Sequence, residues 1–433
     1  MNSSLLQQVI ADQQALIVKK DRGIIRSTNT SMHLKSGLIS VITGVRRAGK
    51  STLTLQLADH YPSFHYISFD DERLMNFSVS DFNSMLIEMK KTRDAGTIIM
   101  DEIQQVEGWE RFVRRIYEEG YKVIITGSNA KLLSSELATH LTGRYLKTEL
   151  FPFSFAEYLT FKGIDAGDKS SDNEAGILKA FDEYVVNGGF PEYLKENEPE
   201  VLRRVYDDII YRDLIVRFGI RNVSGFKNLT HYLFTNFTCE TGYLPLAKLL
   251  GFHSPTSVKE YLNMLSEGYL VFEAGKFDFS LKRQYASNRK VYAVDNGLRN
   301  AVSFRTSSDI GRLLENMVFL ELKRRATDVW YFKSRNNLET DFLINPGNPI
   351  LIQVCYNMSD PLTRSREINA LKACMKELKR DTGLILTNNE MEEVKTPEGT
   401  ITIMPVWKWA LEPVDQWTGR PADKELDEER TSF

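Results

Sequence analysis

The chain has 433 residues, enough for two or three domains with complete cores. Hydrophobic residues make up 42% and charged residues 26%, and 55 Lys and Arg stand against 58 Asp and Glu, a net charge of −3 that excludes global basicity as a route to nucleic acid; any such binding needs a local patch. Cys239, Cys355 and Cys374 are too scattered for a zinc site and suit a reducing cytoplasm, the opening residues lack the basic and apolar regions of a signal peptide, and no run approaches the ~20 apolar residues of a membrane span.

The first 36 residues read as helical and polar. A β-branched apolar strand is expected over 38–43, followed by Gly44-Val45-Arg46-Arg47-Ala48-Gly49-Lys50-Ser51 and a helix over 52–58. That octapeptide fits G-x-x-x-x-G-K-[ST], the loop that cradles a polyphosphate. The glycines let the backbone curl with its N–H groups turned inward, Lys50 brings a point charge to the β- and γ-phosphates, and the Ser51 hydroxyl is offered to Mg²⁺. Gly44 through Thr52 are therefore the candidate ATP-binding residues. Arg46 and Arg47 are expected to be exposed or to pack on acidic neighbours rather than to act in catalysis.

Strands are expected over 64–69, 97–101, 122–126 and 145–150, with helices over 79–89 and 109–118. Alternating helices and continuously apolar strands indicate a buried parallel sheet. Asp101 and Glu102 end the apolar run Ile98-Ile99-Met100, where a carboxylate shares a crevice with the phosphate loop. Asp101 is the candidate metal residue with Ser51, and Glu102 is the candidate general base for the attacking water. The next strand ends in Thr126-Gly127-Ser128-Asn129, so either Ser128 or Asn129 could position water beside the γ-phosphate; a plain polar turn is the alternative. Arg144 precedes the last strand and could offset transition-state charge on its own γ-phosphate or a neighbouring subunit's, or simply cap a helix end.

Together, the loop, Asp101-Glu102-Ile103-Gln104, Ile125-Thr126-Gly127-Ser128 and Gly143-Arg144 resemble bacterial and archaeal AAA-type ATPases with a DUF4143 C-terminal region. Segments 150–158 (LFPFSFAEY) and 188–192 (GGFPE) extend the resemblance, which runs from about Ile24 to Trp409. It implies an α/β P-loop parallel sheet, ATP and Mg²⁺ as ligands, and hydrolysis of ATP to ADP and phosphate.

Farther along, a helix over 244–250, a turn, a helix over 256–267 and strands over 268–272 and 289–294 follow the order of a winged helix. Its second helix would enter a DNA major groove, yet Ser257, Lys259, Glu260 and Asn263 are not strongly basic, and a structural or protein-contact role stands beside DNA contact. Glu315 on a helix, Asp341 on a strand and a strand over 350–356 resemble the core of PD-(D/E)XK nucleases, as in the family. Those enzymes need a second strand carboxylate and a lysine two residues on, where this chain has Gln353 and Cys355, so the fold is expected to persist without the nuclease site. Lys372 could in principle stand in for the missing lysine. The basic run Lys323-Arg324-Arg325 is explained by a solvated face as well as by nucleic acid.

The expected division is a P-loop ATPase domain with its N-terminal helical segment over 1–160, a helical lid or linker over 161–202, a winged-helix-like domain over 203–284, a restriction-endonuclease-like α/β domain over 285–410 and a flexible tail over 411–433. The expected function is an ATPase whose nucleotide state repositions the C-terminal modules. The alternatives are an ATP-binding interaction protein with little turnover and an ATP-dependent DNA-processing nuclease. A homo-oligomer and an unidentified protein partner are both compatible with the chain, and no membrane association is expected.

Overall fold

Why the apolar runs of the first third end up side by side is clear from their composition. Strands β1 (Ile39–Gly44), β2 (Phe64–Ser68), β3 (Thr97–Asp101) and β4 (Lys122–Gly127) are buried almost throughout, which a strand tolerates only when both sheet faces are covered. With β5 (Tyr145–Leu150) they form a five-stranded, wholly parallel sheet in the order β2-β3-β4-β1-β5 in the computed structural model. The residues described are 1–28, 30–128, 141–303, 309–325 and 328–413.

The chain forms two compact units. The first comprises residues 1–153, 190–219 and 264–270. Its core gathers Ile39, Val41, Ile67, Ile98, Met100 and Ile125 from the strands with Phe82, Met85, Met89, Trp109 and Phe112 from the helices Phe82–Thr92 and Trp109–Glu118. Stacked rings of Phe82 and Phe112, with centroids 4.3 Å apart, join those helices. The N-terminal helix, Ser3–Lys19, buries Leu6, Val9, Ile10 and Ile17 on one face. On the same side it turns Gln13 and Gln14 to the free edge of β2. Ser68 N–H donates to Gln13 Oε1 (2.7 Å), Gln13 Nε2 returns a bond to Ser68 O (3.1 Å), and Tyr66 N–H donates to Gln14 Oε1 (3.0 Å). A strand edge that would otherwise show bare backbone groups is thereby covered by side-chain amides.

The second unit comprises residues 154–189, 220–263 and 271 onward. Helix Phe155–Lys162 opens with a reciprocal capping box between Ser154 and Glu157. Helices Ser171–Asn187, Val223–Thr235 and Tyr243–Leu250 follow, and helix Pro255–Glu267 belongs to this unit as far as residue 263. The strands are β6 (Glu240–Thr241), β7 (Val271–Lys276), β8 (Arg289–Ala293), β9 (Trp330–Lys333), β10 (Glu339–Ile344), β11 (Ile350–Val354), β12 (Thr382–Thr387), β13 (Glu392–Thr396) and β14 (Gly399–Pro405). They make one sheet in the order β13-β14-β12-β11-β10-β9-β7-β8-β6.

β7 pairs antiparallel with β8 and parallel with β9, so one backbone hydrogen-bond ladder runs from the expected winged-helix segment into the expected nuclease-like segment. The glycine pair at the end of helix Ser171–Asn187 has a steric cause. A Cβ at Gly188 would lie 2.2 Å from the buried Asp295 carboxylate, whose Oδ2 accepts the Gly189 N–H at 2.7 Å. No helix among the described residues is long and apolar enough to cross a membrane.

Candidate nucleotide site

The loop between β1 and helix Lys50–Ala58 is shaped by its neighbours as much as by its glycines. Gly44 has φ +132°, and a Cβ there would lie 2.0 Å from Leu150 O at the end of β5, so only glycine fits. Val45 N–H donates to that same Leu150 oxygen at 3.0 Å. Gly49 (φ +96°) turns the chain into the helix, while Arg47 holds a left-handed backbone at φ +64°, a strained conformation for a residue with a side chain. Buried Arg26 braces the loop from beneath, donating to Ala48 O (2.7 Å) and Phe151 O (2.8 Å) and stacking over Phe153.

Lys50 is buried, and its Nζ donates to Gly44 O (3.2 Å) and Val45 O (3.1 Å), which sets the charge inside the loop. Burial pushes its ammonium below the usual lysine range, against the pull of Glu102 and Asp101. Ser51 Oγ donates to Asp101 Oδ2 at 2.9 Å. Thr52 lies half-buried in the helix that follows.

Asp101 is the hub of the site. Besides Ser51 it receives the hydroxyls of Tyr66 (3.0 Å, on Oδ2) and Thr126 (on Oδ1). Burial and the neighbouring Glu102 charge raise its carboxyl, and the three hydroxyl bonds oppose that rise. Glu102 has a left-handed backbone (φ +52°) just past β3, its N–H bound to Thr126 Oγ1 at 3.1 Å. Its Oε2 accepts from Gln104 Nε2 (2.5 Å), Ser128 Oγ (2.9 Å) and Ser128 N–H (3.3 Å). Burial would raise this carboxyl too, but the Lys50 ammonium and the bonds from Gln104 and Ser128 outweigh burial and hold it below the usual glutamate range.

The fold therefore brings together Gly44, Val45, Ala48, Gly49, Lys50, Ser51, Asp101, Glu102 and Ser128. Asn129 lies outside the described residues. Tyr66, Gln104 and Thr126 complete the bonding around the two carboxylates and were not singled out from sequence. Gln104, two residues after Glu102, was the one with a local signal. Arg46 and Arg47 turn to carboxylates: Arg46 to Asp213 and Asp208 at 3.1 and 3.6 Å, and Arg47 to Glu192 at 3.2 Å.

Arg144 is elsewhere. Ile39 N–H bonds its carbonyl, which places it at the amino end of the β1–β5 pair, and Gly44 lies at the other end of β1. At 3.3 Å per residue those ends are about 15–20 Å apart. Its guanidinium, more than one-third exposed, is 3.8 Å from Glu118. Action on its own γ-phosphate is thus ruled out by distance, which leaves action across a subunit boundary and a plain surface role beside Glu118 at a helix end.

The residues fit Mg²⁺ in kind. The Ser51 hydroxyl and Asp101 carboxylate are hard oxygen donors in contact with one another, the sort that share a small dication with water and phosphate oxygens. Among the described residues no set of three or more His, Cys, Asp or Glu could hold a metal, so an ion here would draw most of its oxygens from phosphate and water.

In the second unit, helix Ile310–Arg324 brings Glu315 beside Asp341 of β10. Their charge is met by a residue absent from the sequence reading. Lys290 of β8, only 5% exposed, lies 2.6 Å from Glu339, 3.0 Å from Asp341 and 3.1 Å from Glu315. Lys290 follows Arg289 at the start of β8, so nothing local in the sequence marks it as buried. Gln353 Oε1 accepts the Asp341 N–H (3.2 Å) and its Nε2 donates to Glu367 (2.8 Å). Burial, and then Glu367, push the Cys355 thiol up to about 11, so it stays protonated at neutral pH. Lys372 does not stand in for a catalytic lysine: it pairs with Glu398 at 3.6 Å.

Nor do Arg324 and Arg325 form a solvated basic face. Both pair with Glu321 at 3.2 Å, and Arg325 is buried over the Trp409 ring. On helix Pro255–Glu267, Lys259 is matched by Glu260 and Glu267, so the helix has no cationic excess to offer a phosphate backbone.

Residues 36–159 match the model of an AAA domain, residues 178–309 that of a domain of unknown function (DUF8612), and residues 310–409 that of a domain of unknown function (DUF4143). An uncharacterized protein of Methanocaldococcus jannaschii is 38% identical over 427 residues, covering 94% of this chain and 95% of that one. An uncharacterized protein of Haemophilus influenzae is 32% identical over 343 residues, covering 74% and 83%. Among solved structures, Aeropyrum pernix Orc1 in complex with DNA aligns at 10% identity and a TM-score of 0.31, covering 67% of this chain and 91% of that one. The replication initiator DnaA bound to AMPPCP and single-stranded DNA aligns at 12% and 0.25, covering 60% and 91%. With the loop, the parallel sheet and a relative matched over 95% of its length, the chain belongs to the family of AAA-domain P-loop proteins that carry a DUF4143 C-terminal region.

Proposed function

We propose that this protein binds ATP with Mg²⁺ and hydrolyses it to ADP and phosphate, and that nucleotide state repositions its C-terminal modules. The observation that supports this best is the treatment of Glu102. A protein that only held nucleotide would have no use for an ionised carboxylate fixed by three donors beside Lys50 and Asp101. The loop N–H groups and Lys50 bind the polyphosphate. Ser51 and Asp101 would hold Mg²⁺, which supplies charge neutralisation on the phosphate oxygens when bound. Glu102 orients the attacking water and takes its proton as the water oxygen bonds phosphorus and the bond to the leaving ADP oxygen breaks. Ser128 fixes the carboxylate of Glu102, and Arg144 serves a neighbouring copy's site in a homo-oligomer.

Lys50→Ala tests the site. Loss of ATP binding in a nucleotide titration, with the circular dichroism unchanged, is the expected result, and undiminished affinity would place the nucleotide elsewhere.

For the second unit the reading is a nuclease-like fold without nuclease chemistry. The Lys290 ammonium sits between the Glu315 and Asp341 carboxylates that a metal would need and offsets part of their charge, and neither Gln353 nor Cys355 supplies the lost groups. The expected result is no Mg²⁺- or Mn²⁺-dependent cleavage of single- or double-stranded DNA, with or without ATP. Cleavage abolished by Asp341→Ala would reverse that reading.

A further inference from the structure

Arg46, third residue of the phosphate loop, is held by one short segment of its own unit. Its Nη1 donates to both carboxylate oxygens of Asp213 (3.1 and 3.3 Å), and its Nε lies 3.6 Å from Asp208 Oδ2. Asp208 and Asp213 belong to Asp208–Val216, nine residues wound as a π-helix. That winding is rare beyond a single turn and collects at functional sites. The grip is imperfect, because Arg46 Nε is buried and meets no hydrogen-bond acceptor among the described residues. The guanidinium thus has charge partners, yet keeps a donor for a better-shaped anion.

The second observation is where Asp213 stands. Its carboxylate is close enough to feel Glu102 as well as Arg46, and Lys50 feels it in turn. Lys50 and Glu102 flank the position of a terminal phosphate in any nucleotide bound to this loop. Asp213 and that phosphate are therefore competing anions for the same cations. A phosphate offers a guanidinium two parallel charge-assisted bonds, which the splayed contacts to Asp213 and Asp208 do not provide.

We propose that Asp213, assisted by Asp208, is a built-in anion of the nucleotide site: it holds Arg46 until a triphosphate arrives, then yields Arg46 to the terminal phosphate, releasing the π-helical segment. The inference rests on the nucleotide-site reading above. It makes Arg46 the residue that distinguishes ATP from ADP, since ADP has no phosphate at that position. It also makes residues 208–216 the first backbone outside the loop to register nucleotide state.

Asp213→Asn keeps the shape and removes the competing charge. A latch closed nine-tenths of the time weakens apparent affinity about tenfold, so the variant should bind ATP about tenfold more tightly while ADP affinity stays within about twofold. Asp208→Asn should shift ATP affinity in the same direction by less. Hydrogen exchange supplies a readout independent of affinity. In the wild type, amides of 208–216 should exchange faster with ATP than with ADP, and in Asp213→Asn they should exchange fast without nucleotide.

If Lys50→Ala abolishes binding while both asparagine variants leave the ATP-to-ADP affinity ratio and the exchange of 208–216 unchanged, the latch is wrong and the site stands. If Lys50→Ala still binds ATP, the site reading itself fails. Weaker ATP binding in Asp213→Asn and Asp208→Asn, with the fold intact by circular dichroism, would overturn the latch in the opposite direction, making the pair part of the binding surface.

Discussion

Replacing Glu102 by glutamine separates charge from shape. The amide oxygen can still accept from Ser128 Oγ and Ser128 N–H, now 2.9 and 3.3 Å from the carboxylate, so the side chain should keep its place. What it loses is the capacity to take a proton. Because Lys50, Gln104 and Ser128 hold the Glu102 carboxyl below the ordinary glutamate range despite burial, the wild-type base is fully ionised at neutral pH and the substitution removes all of it. Loss of a positioned base commonly costs about 10²- to 10⁴-fold in rate, which at 1.36 kcal/mol per tenfold is roughly 3–5 kcal/mol of transition-state stabilisation. Single-turnover phosphate release at saturating ATP-Mg²⁺ reads this directly, and a nucleotide titration run alongside should give an affinity within a few-fold of wild type. The sign of the pKa shift adds a check. A depressed carboxyl stays ionised as pH falls, so the acid limb of the wild-type rate should lie below about pH 4.5 as far as the fold survives. Turnover of Glu102→Gln within about threefold of wild type would show that Glu102 is a structural carboxylate and refute the reasoning.

Arg144→Ala should lower turnover and abolish any rise in turnover per chain with protein concentration; wild-type turnover independent of concentration in a proven monomer would exclude action in trans. Lys290→Met should destabilise the second unit by about 3–5 kcal/mol in urea unfolding, because it leaves Glu315 and Asp341 without their shared cation while Glu339 keeps Lys333, and an unchanged midpoint would mean those two carboxylates are neutral or solvated. His33 and His65 are both pushed down to about 4, chiefly by burial, so each favours the folded state above pH 6.5 and loses that contribution as pH falls from 6.5 toward 4. The urea midpoint should fall across this window, and less steeply in His65→Leu; identical slopes would show that His65 titrates alike in both states.

What could be read in the chain was whatever is local along it. The phosphate loop, the carboxylates closing β3 and the alternation of strands and helices are patterns of adjacent residues. The bonding that tunes those carboxylates was not legible, because Tyr66 and Thr126 reach Asp101 from neighbouring parallel strands and meet it only through the register of the sheet. Lys290 was missed for the same reason: β8 is separated from β10 by two intervening strands in the sheet order, and the meeting of its side chain with Asp341 has no counterpart in sequence spacing. Arg144 shows the converse. Its place just before a strand was right, but a strand has two ends, and sequence does not say how far the near end lies from the phosphates. The pairing of β7 with β8 and β9 likewise joins in one sheet two segments that the winged-helix order and the nuclease-like pattern had set apart.

The glutamine pair on the N-terminal helix has a consequence for how the first unit can be handled. Gln13 and Gln14 serve β2 as a sixth strand would, supplying acceptors to two N–H groups and a donor to one C=O from a helix that cannot itself extend the ladder. A chain shortened to begin after Lys19 would keep every residue of the phosphate loop and still change in character. Its outermost strand would lie open to any extended segment, including the same strand of another molecule. The helix is in effect a stopper, and it is fastened to the strand edge by two amides far in sequence from the phosphate loop.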